Sequence, residues 1–117
     1  MSSDSPFLEA YCQEKPGATV SCPFGEEHLV FKLEGKIFAI LTVDGAKPRI
    51  SLKCDPEMAG DLRRDFPAVK PGYHLNKQHW NSVDLDESVP ESVLLGMIDH
   101  SYGLIFKSLP KARREKI

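Results

Sequence analysis

Residues 28–54 read HLVFKLEGKIFAILTVDGAKPRISLKC, and this stretch decides the fold. From His28 to Glu34, Leu29, Phe31 and Leu33 share one side and Val30, Lys32 and Glu34 the other, the two-residue period of a strand. Glu34-Gly35-Lys36 is a short hairpin turn. Ile37 to Val43 is apolar in both phases, which suits a central strand partly covered on both faces. Asp44-Gly45 signals a second turn. Arg49 to Cys54 then alternates, with Ile50, Leu52 and Cys54 toward a core and Arg49, Ser51 and Lys53 away from it. Strands joined by turns this short run antiparallel.

Helices flank this meander. Ser5 is placed to cap a first helix, with Pro6 at its first position, and Pro16-Gly17 stops it. Phe7 and Tyr11, and Leu8 and Cys12, stand four apart along it. Asp55-Pro56-Glu57 opens a second helix as cap, first-position proline and first-turn acid. Met58, Leu62 and Phe66 form its inner edge, and Pro67 ends it. A second hairpin follows. Val69, Pro71, Tyr73 and Leu75 lie in one phase, and Lys70, Gly72 and His74 in the other. Pro71 makes this segment an edge strand or an irregular entry. Its partner, Trp80 to Leu85, turns Val83 and Leu85 inward and Trp80, Ser82 and Asp84 outward. Ser88-Val89-Pro90-Glu91 fits a capping box for a last helix from about Val89 to about Leu109, striped by Leu94, Ile98, Tyr102, Ile105 and Leu109. The expected fold is α+β, a two-layer sandwich of an antiparallel sheet with helices on one face, in the order α-β-β-β-α-β-β-α. It is expected to form one domain over residues 1–117, with 111–117 a basic tail.

Composition sets the limits. At 117 residues, 41% hydrophobic and 27% charged, the chain can bury a core without disulfide or metal staples. The longest apolar run, Ile37 to Leu41, is far too short to span a bilayer. The N-terminus has neither the basic start nor the apolar stretch of a secretory signal, so a cytoplasmic location without membrane partners is expected. Cys12, Cys22 and Cys54 form no CxxC pair and read as free thiols in a reducing compartment, with Cys12 and Cys54 on buried phases. The net charge of −2 is unevenly spread: residues 47–80 carry net +3 and residues 111–117 net +3 within an otherwise acidic chain.

If helices cover the Ile50, Leu52 and Cys54 side, the opposite side of the sheet is open and carries Arg49, Ser51, Lys53, His74, Trp80, Ser82 and Asp84. A flat aromatic among cations suits base stacking and phosphate contact. The densest stretch is His74-Leu75-Asn76-Lys77-Gln78-His79-Trp80, a donor-rich hairpin tip. Lys47 and Arg49 flank the other tip, so the two hairpins read either as paired wings on a duplex backbone or as two exposed turns. His74 and His79 lack a third ligand nearby, so no metal is expected. Neither a phosphate-binding loop nor a hydrolase or zinc-protease motif is present, and Cys54 is on the wrong phase to act with a histidine. A non-enzymatic role without cofactor is the expectation.

The sequence also resembles the MmcQ/YjbR family. The resemblance rests on Tyr11-Cys12 with Pro16-Gly17, Pro23-Phe24-Gly25, Lys36-Ile37-Phe38-Ala39, Ser51-Leu52-Lys53-Cys54 with Pro56-Glu57, Pro71-Gly72-Tyr73-His74-Leu75-Asn76-Lys77 with His79-Trp80, Asp99 with Ser101-Tyr102, and Leu109-Pro110. It spans about residues 11–110 and implies an α+β fold related to frataxin-like and secretion-chaperone-like topologies, with a DNA-binding, double-wing surface. Two functions follow as expectations. The first is weak, salt-dependent DNA binding through Lys47, Arg49, Lys53, His74, Asn76, Lys77, His79 and Trp80. The second is an adaptor or chaperone-like module that takes a protein segment or small ligand on the same face, with Trp80 and Tyr73 as anchors.

Overall fold

The computed structural model describes residues 4–43, 48–72 and 75–117, with side chains from Pro6 onward. The Asp44-Gly45 turn, Lys47, Tyr73 and His74 lie outside the described residues. The elements run α1 (Asp4–Gln13), β1 (Ala18–Ser21), β2 (His28–Leu33), β3 (Lys36–Thr42), β4 (Arg49–Lys53), α2 (Pro56–Asp65), β5 (Val69–Pro71), β6 (Trp80–Asp84), α3 (Glu91–Ser108) and α4 (Lys111–Arg114). The strands form one antiparallel sheet in the order β1-β2-β3-β4-β6-β5. Leu8 and Cys12 of α1 and Leu94, Met97, Ile98 and Ile105 of α3 pack on Phe31, Leu41, Ile50, Leu52 and Val83 of the sheet. Leu62 and Phe66 extend the same core from α2 and its C-cap. The fold is the expected α+β sandwich with its helices on one face.

Two elements add to the expected order. β1 is four residues long and mostly exposed, so no alternation of apolar side chains announces it. The basic tail is partly structured: α4 forms, and Ile117 packs against the core beside Gly17. Gly17 has φ +77, and a Cβ there would meet Leu33 at 3.0 Å and Ile117 at 3.4 Å, so the position needs glycine twice over.

Local signals explain most boundaries. Asp55 caps α2 by accepting the Met58 amide, Pro56 follows at the first position, and Phe66 before Pro67 is extended. β5 is the sheet edge that Pro71 requires. Helix starts differ in two places. α1 begins at Asp4, which puts Ser5 inside the first turn rather than at the cap. α3 begins at Glu91 after Pro90, and Ser88 makes no cap. Its hydroxyl and amide both bond Asp86, a local Asx-type arrangement that outcompetes the capping box.

β3 carries a bulge. Phe31 pairs with Ala39 and Lys32 with Ile37, leaving Phe38 as the extra residue. Phe38 and Ala39 both enter the helix-side core, where Phe38 meets Tyr102 edge-on at 5.4 Å. The β3–β4 ladder stops at Ala39 and Leu52. Ser101 of α3, fully buried, fills the gap: its hydroxyl donates to the Phe38 carbonyl at 2.5 Å and accepts the Lys53 amide at 3.0 Å. Its neighbours tie α3 to other elements. Asp99 accepts from Tyr11 at 2.8 Å and pairs with Lys15. His100 accepts the Asp55 amide at 3.1 Å through Nε2, and Tyr102 donates to the Pro16 carbonyl.

Ser101→Ala leaves two backbone groups without partners inside the fold. It is expected to cost about 2–4 kcal/mol in urea denaturation, whereas exposed Ser92→Ala stays within about 0.5 kcal/mol. Burial pushes the Asp99 carboxyl up, but hydrogen bonds from Lys15 and Tyr11 outweigh it and hold the group below its ordinary value. A depressed folded pKa means that this contribution is present above the unfolded carboxylate value of about 3.9 and is lost as pH falls through the folded value. Asp99→Asn should therefore flatten the acid limb of stability below about pH 4. The side chain is half exposed, so solvent screening keeps the effect under about 1 kcal/mol. Urea midpoints measured against pH test this.

Candidate nucleic-acid interface

The face of the sheet away from the helices is laid out by the strand register. One row across it reads Ser21, Val30, Ile40, Ser51, Ser82 and Lys70. A second reads His28, Thr42, Arg49 and Asp84. Lys53 stands opposite Trp80 beyond them. Arg49, Lys53, Trp80, Ser82 and Asp84 thus share one face, as the alternation requires.

The expected open face is open only at its margin. Val30 is fully buried, and Thr42, Ser51 and Ser82 are each no more than 5% exposed. Ser51 and Ser82 bond each other through their hydroxyls at 2.8 Å. They lie between longer side chains, with Ile40 and Lys70 along the row and Arg49, Lys53, Trp80 and Asp84 along their own strands. What solvent meets is this ring, in which Lys70 is exposed and the other five side chains are half-buried. The ring carries more positive charge than negative. Lys70 pairs with Asp84 at 2.8 Å, the bond to Asp84 raising the lysine above its ordinary value. Lys32 adds a further cation on the same face.

Trp80 is seated by an absent side chain. Gly72 donates its amide to the Trp80 carbonyl at 2.8 Å. A Cβ on Gly72 would lie 2.7 Å from the Trp80 Cβ and 3.1 Å from its carbonyl oxygen, so only glycine admits the indole here.

The hairpin tip uses most of its donors and acceptors on itself. Asn76 Oδ1 accepts the amides of Gln78 at 2.9 Å and His79 at 3.3 Å. Lys77 Nζ donates to the Gly72 carbonyl at 3.0 Å. Arg63 of α2 donates to Asn81 Oδ1 at 2.7 Å and to the carbonyls of Trp80 and Lys77. Asn76 and Lys77 therefore shape the tip. His79 is exposed, like Asn76, Lys77 and Gln78, and its carbonyl accepts the Cys54 amide at 2.7 Å. Sequence reasoning passed over Arg63, whose only local signal is its place in the last turn of α2.

Two other groups settle into structural roles. His28 bonds Thr42 at 3.1 Å, and His100 bonds Asp55 as described. Cys12 and Cys54 are buried; burial pushes the first thiol up to about 12 and the second to about 11. At neutral pH both stay protonated. Among the described residues, no three His, Cys, Asp or Glu side chains gather as a metal site would need. No helix among them is long and apolar enough to cross a membrane.

Comparison with known proteins places these features. The family model named YjbR matches residues 13–104. The Escherichia coli (strain K12) protein YjbR is 38% identical over 108 residues, covering 92% of this chain and 92% of its own length. YbdF of Escherichia coli O157:H7 is 38% identical over 104 residues, 89% of this chain and 85% of its own. Among solved structures, the DUF419 domain protein DR2400 of Deinococcus radiodurans superposes with a TM-score of 0.87 at 38% identity, covering 93% of this chain and 83% of that one. A Pseudomonas syringae protein superposes with a TM-score of 0.74 at 26% identity, covering 86% of this chain and 97% of that one.

The thiols give a direct check on the buried cysteines. A chromogenic disulfide reagent should titrate Cys22 alone in the native protein and all three cysteines in denaturant. Rapid native reaction of a second thiol would place Cys54 or Cys12 at the surface.

Proposed function

The chain belongs to the YjbR family, and from that premise we propose that it is a cytoplasmic, non-enzymatic protein that binds nucleic acid on the helix-free face of its sheet. The observation that carries the reading is the cross-strand pair of Lys53 and Trp80, with Arg49 on the same face of β4. A cation beside an aromatic surface supplies both elements of nucleic-acid contact: charge for the phosphate and a flat face for a base. Arg49 and Lys53 contact phosphates. Trp80 stacks, and His79 adds hydrogen bonds from the tip. Asn76 and Lys77 contribute by holding the tip in shape. Three free thiols fit a reducing cytoplasm. The buried, protonated Cys54 favours binding over catalysis.

Few cations take part and the chain is net negative, so affinity is weak and falls steeply with salt. Trp80 is the single tryptophan, so its fluorescence reports on the site directly. Titration with a single-stranded oligonucleotide and with its duplex, each at two salt concentrations, should quench that fluorescence. Lys53→Ala should lower the salt slope by roughly 0.7–0.9, and Trp80→Ala should cost about 1–3 kcal/mol of binding if a base stacks there. No quenching at low salt, or a slope indifferent to Lys53, would sink the proposal.

A further inference from the structure

We propose that two copies of this chain form a two-fold dimer by pairing their β1 edges antiparallel. In the dimer, Phe24 of each copy enters a groove on the other. Three separate features meet in this arrangement. The first is the contrast between the two sheet edges. β5 is blunted by Lys70 and Pro71, whereas β1, Ala18-Thr19-Val20-Ser21, has neither charge nor proline and leaves Val20 37% exposed. Natural edge strands normally carry such protection, and an edge without it is a template for another strand.

The second feature lies just past the end of β1. Phe24 is 68% exposed, the most exposed large apolar side chain among the described residues, and the exposed acids Glu26 and Glu27 follow it. The third lies just before the start of β1. Pro16, Tyr102, Gly103, Phe106, Lys107 and Ile117 line an open, mostly apolar groove of about 350 Å³. A Cβ on Gly103 would meet nothing within 4 Å, so the floor of the groove is clear. Lys107 lines it, Lys111, Arg113 and Lys116 stand exposed with Glu115 in the segment that ends at the groove residue Ile117, and Lys36 bonds Ser108, next to Lys107, at 3.2 Å. None of these cations has an acidic partner within 4 Å among the described residues.

A two-fold axis through Val20 sets Val20 opposite its own copy and brings the start of one β1 beside the end of the other. Phe24 follows the end of β1 by three residues and Pro16 precedes its start by two, so both lie in the turns that flank the paired strands. Plug and socket therefore fall together twice, once on each side of the axis, as an isologous interface requires. Glu26 and Glu27 then face the basic rim. The short strand pairing alone makes a small contact. The two phenylalanine insertions add the apolar burial that a stable complex needs.

Sedimentation velocity across a concentration series tests the proposal. The wild-type chain should pass from monomer to dimer. Phe24→Ser and Gly103→Leu should each weaken the dimer about tenfold or more, with thermal unfolding by circular dichroism unchanged. Glu26→Lys with Glu27→Lys should weaken it similarly, and adding Lys107→Glu with Lys111→Glu should restore it. A wild-type chain that stays monomeric throughout overturns the proposal. So does dimerisation indifferent to Phe24→Ser, or a combined charge exchange that fails to restore the dimer.

Discussion

The structure depends on one hydroxyl. Ser101 sits in the middle of α3, fully buried, and bridges β3 and β4 where the bulge at Phe38 parts them. Without it the Phe38 carbonyl and the Lys53 amide would lose their partners, a loss comparable to much of a small domain's stability. The bulge in turn lets Phe38 and Ala39 both face the helix layer, so Phe38 fills the space against Tyr102. On either side of Ser101, Asp99 holds α1, His100 holds the start of α2 and Tyr102 holds the chain between α1 and β1. Four consecutive residues thus lock one helix to five parts of the molecule.

That arrangement shapes the candidate interface from behind. The Lys53 amide bonded to Ser101 belongs to the residue whose side chain stands beside Trp80 on the other face. Gly72 and Arg63 complete the support, Gly72 by leaving room for the indole and Arg63 by binding the carbonyls of the tip. Positions held by several long-range bonds lose little entropy on binding a ligand, which favours a weak site built from few charges.

How far the sequence was legible depends on the range of each interaction. The alternation in β2, β4 and β6 gave their inward and outward sides correctly, because side-chain direction in a strand is local geometry. Asp55-Pro56 predicted the start of α2 and Pro71 the edge strand, because capping and a missing amide act within a few residues. Ser88 misled because two local bonds competed and Asp86 won. The bulge at Phe38 was invisible, since an apolar run in both phases reads the same with or without an extra residue. For the candidate site, the pairing of Lys53 with Trp80 was implied by phase, but the closure around Ser51 and Ser82 was not. Nor was the use of Asn76 and Lys77 within their own turn.

The sequence by itself determined the α+β class, the antiparallel pairing and the side of each strand that faces the helices. These follow from periodicities and turn residues that act between near neighbours. Only the tertiary structure decided which polar groups remain available to a ligand. Ser101 reaches a partner 63 residues away, Arg63 one 18 residues away and Asp99 one 88 residues away. Hydrogen bonds across such separations are set by how the layers pack, and no local pattern in the chain records them.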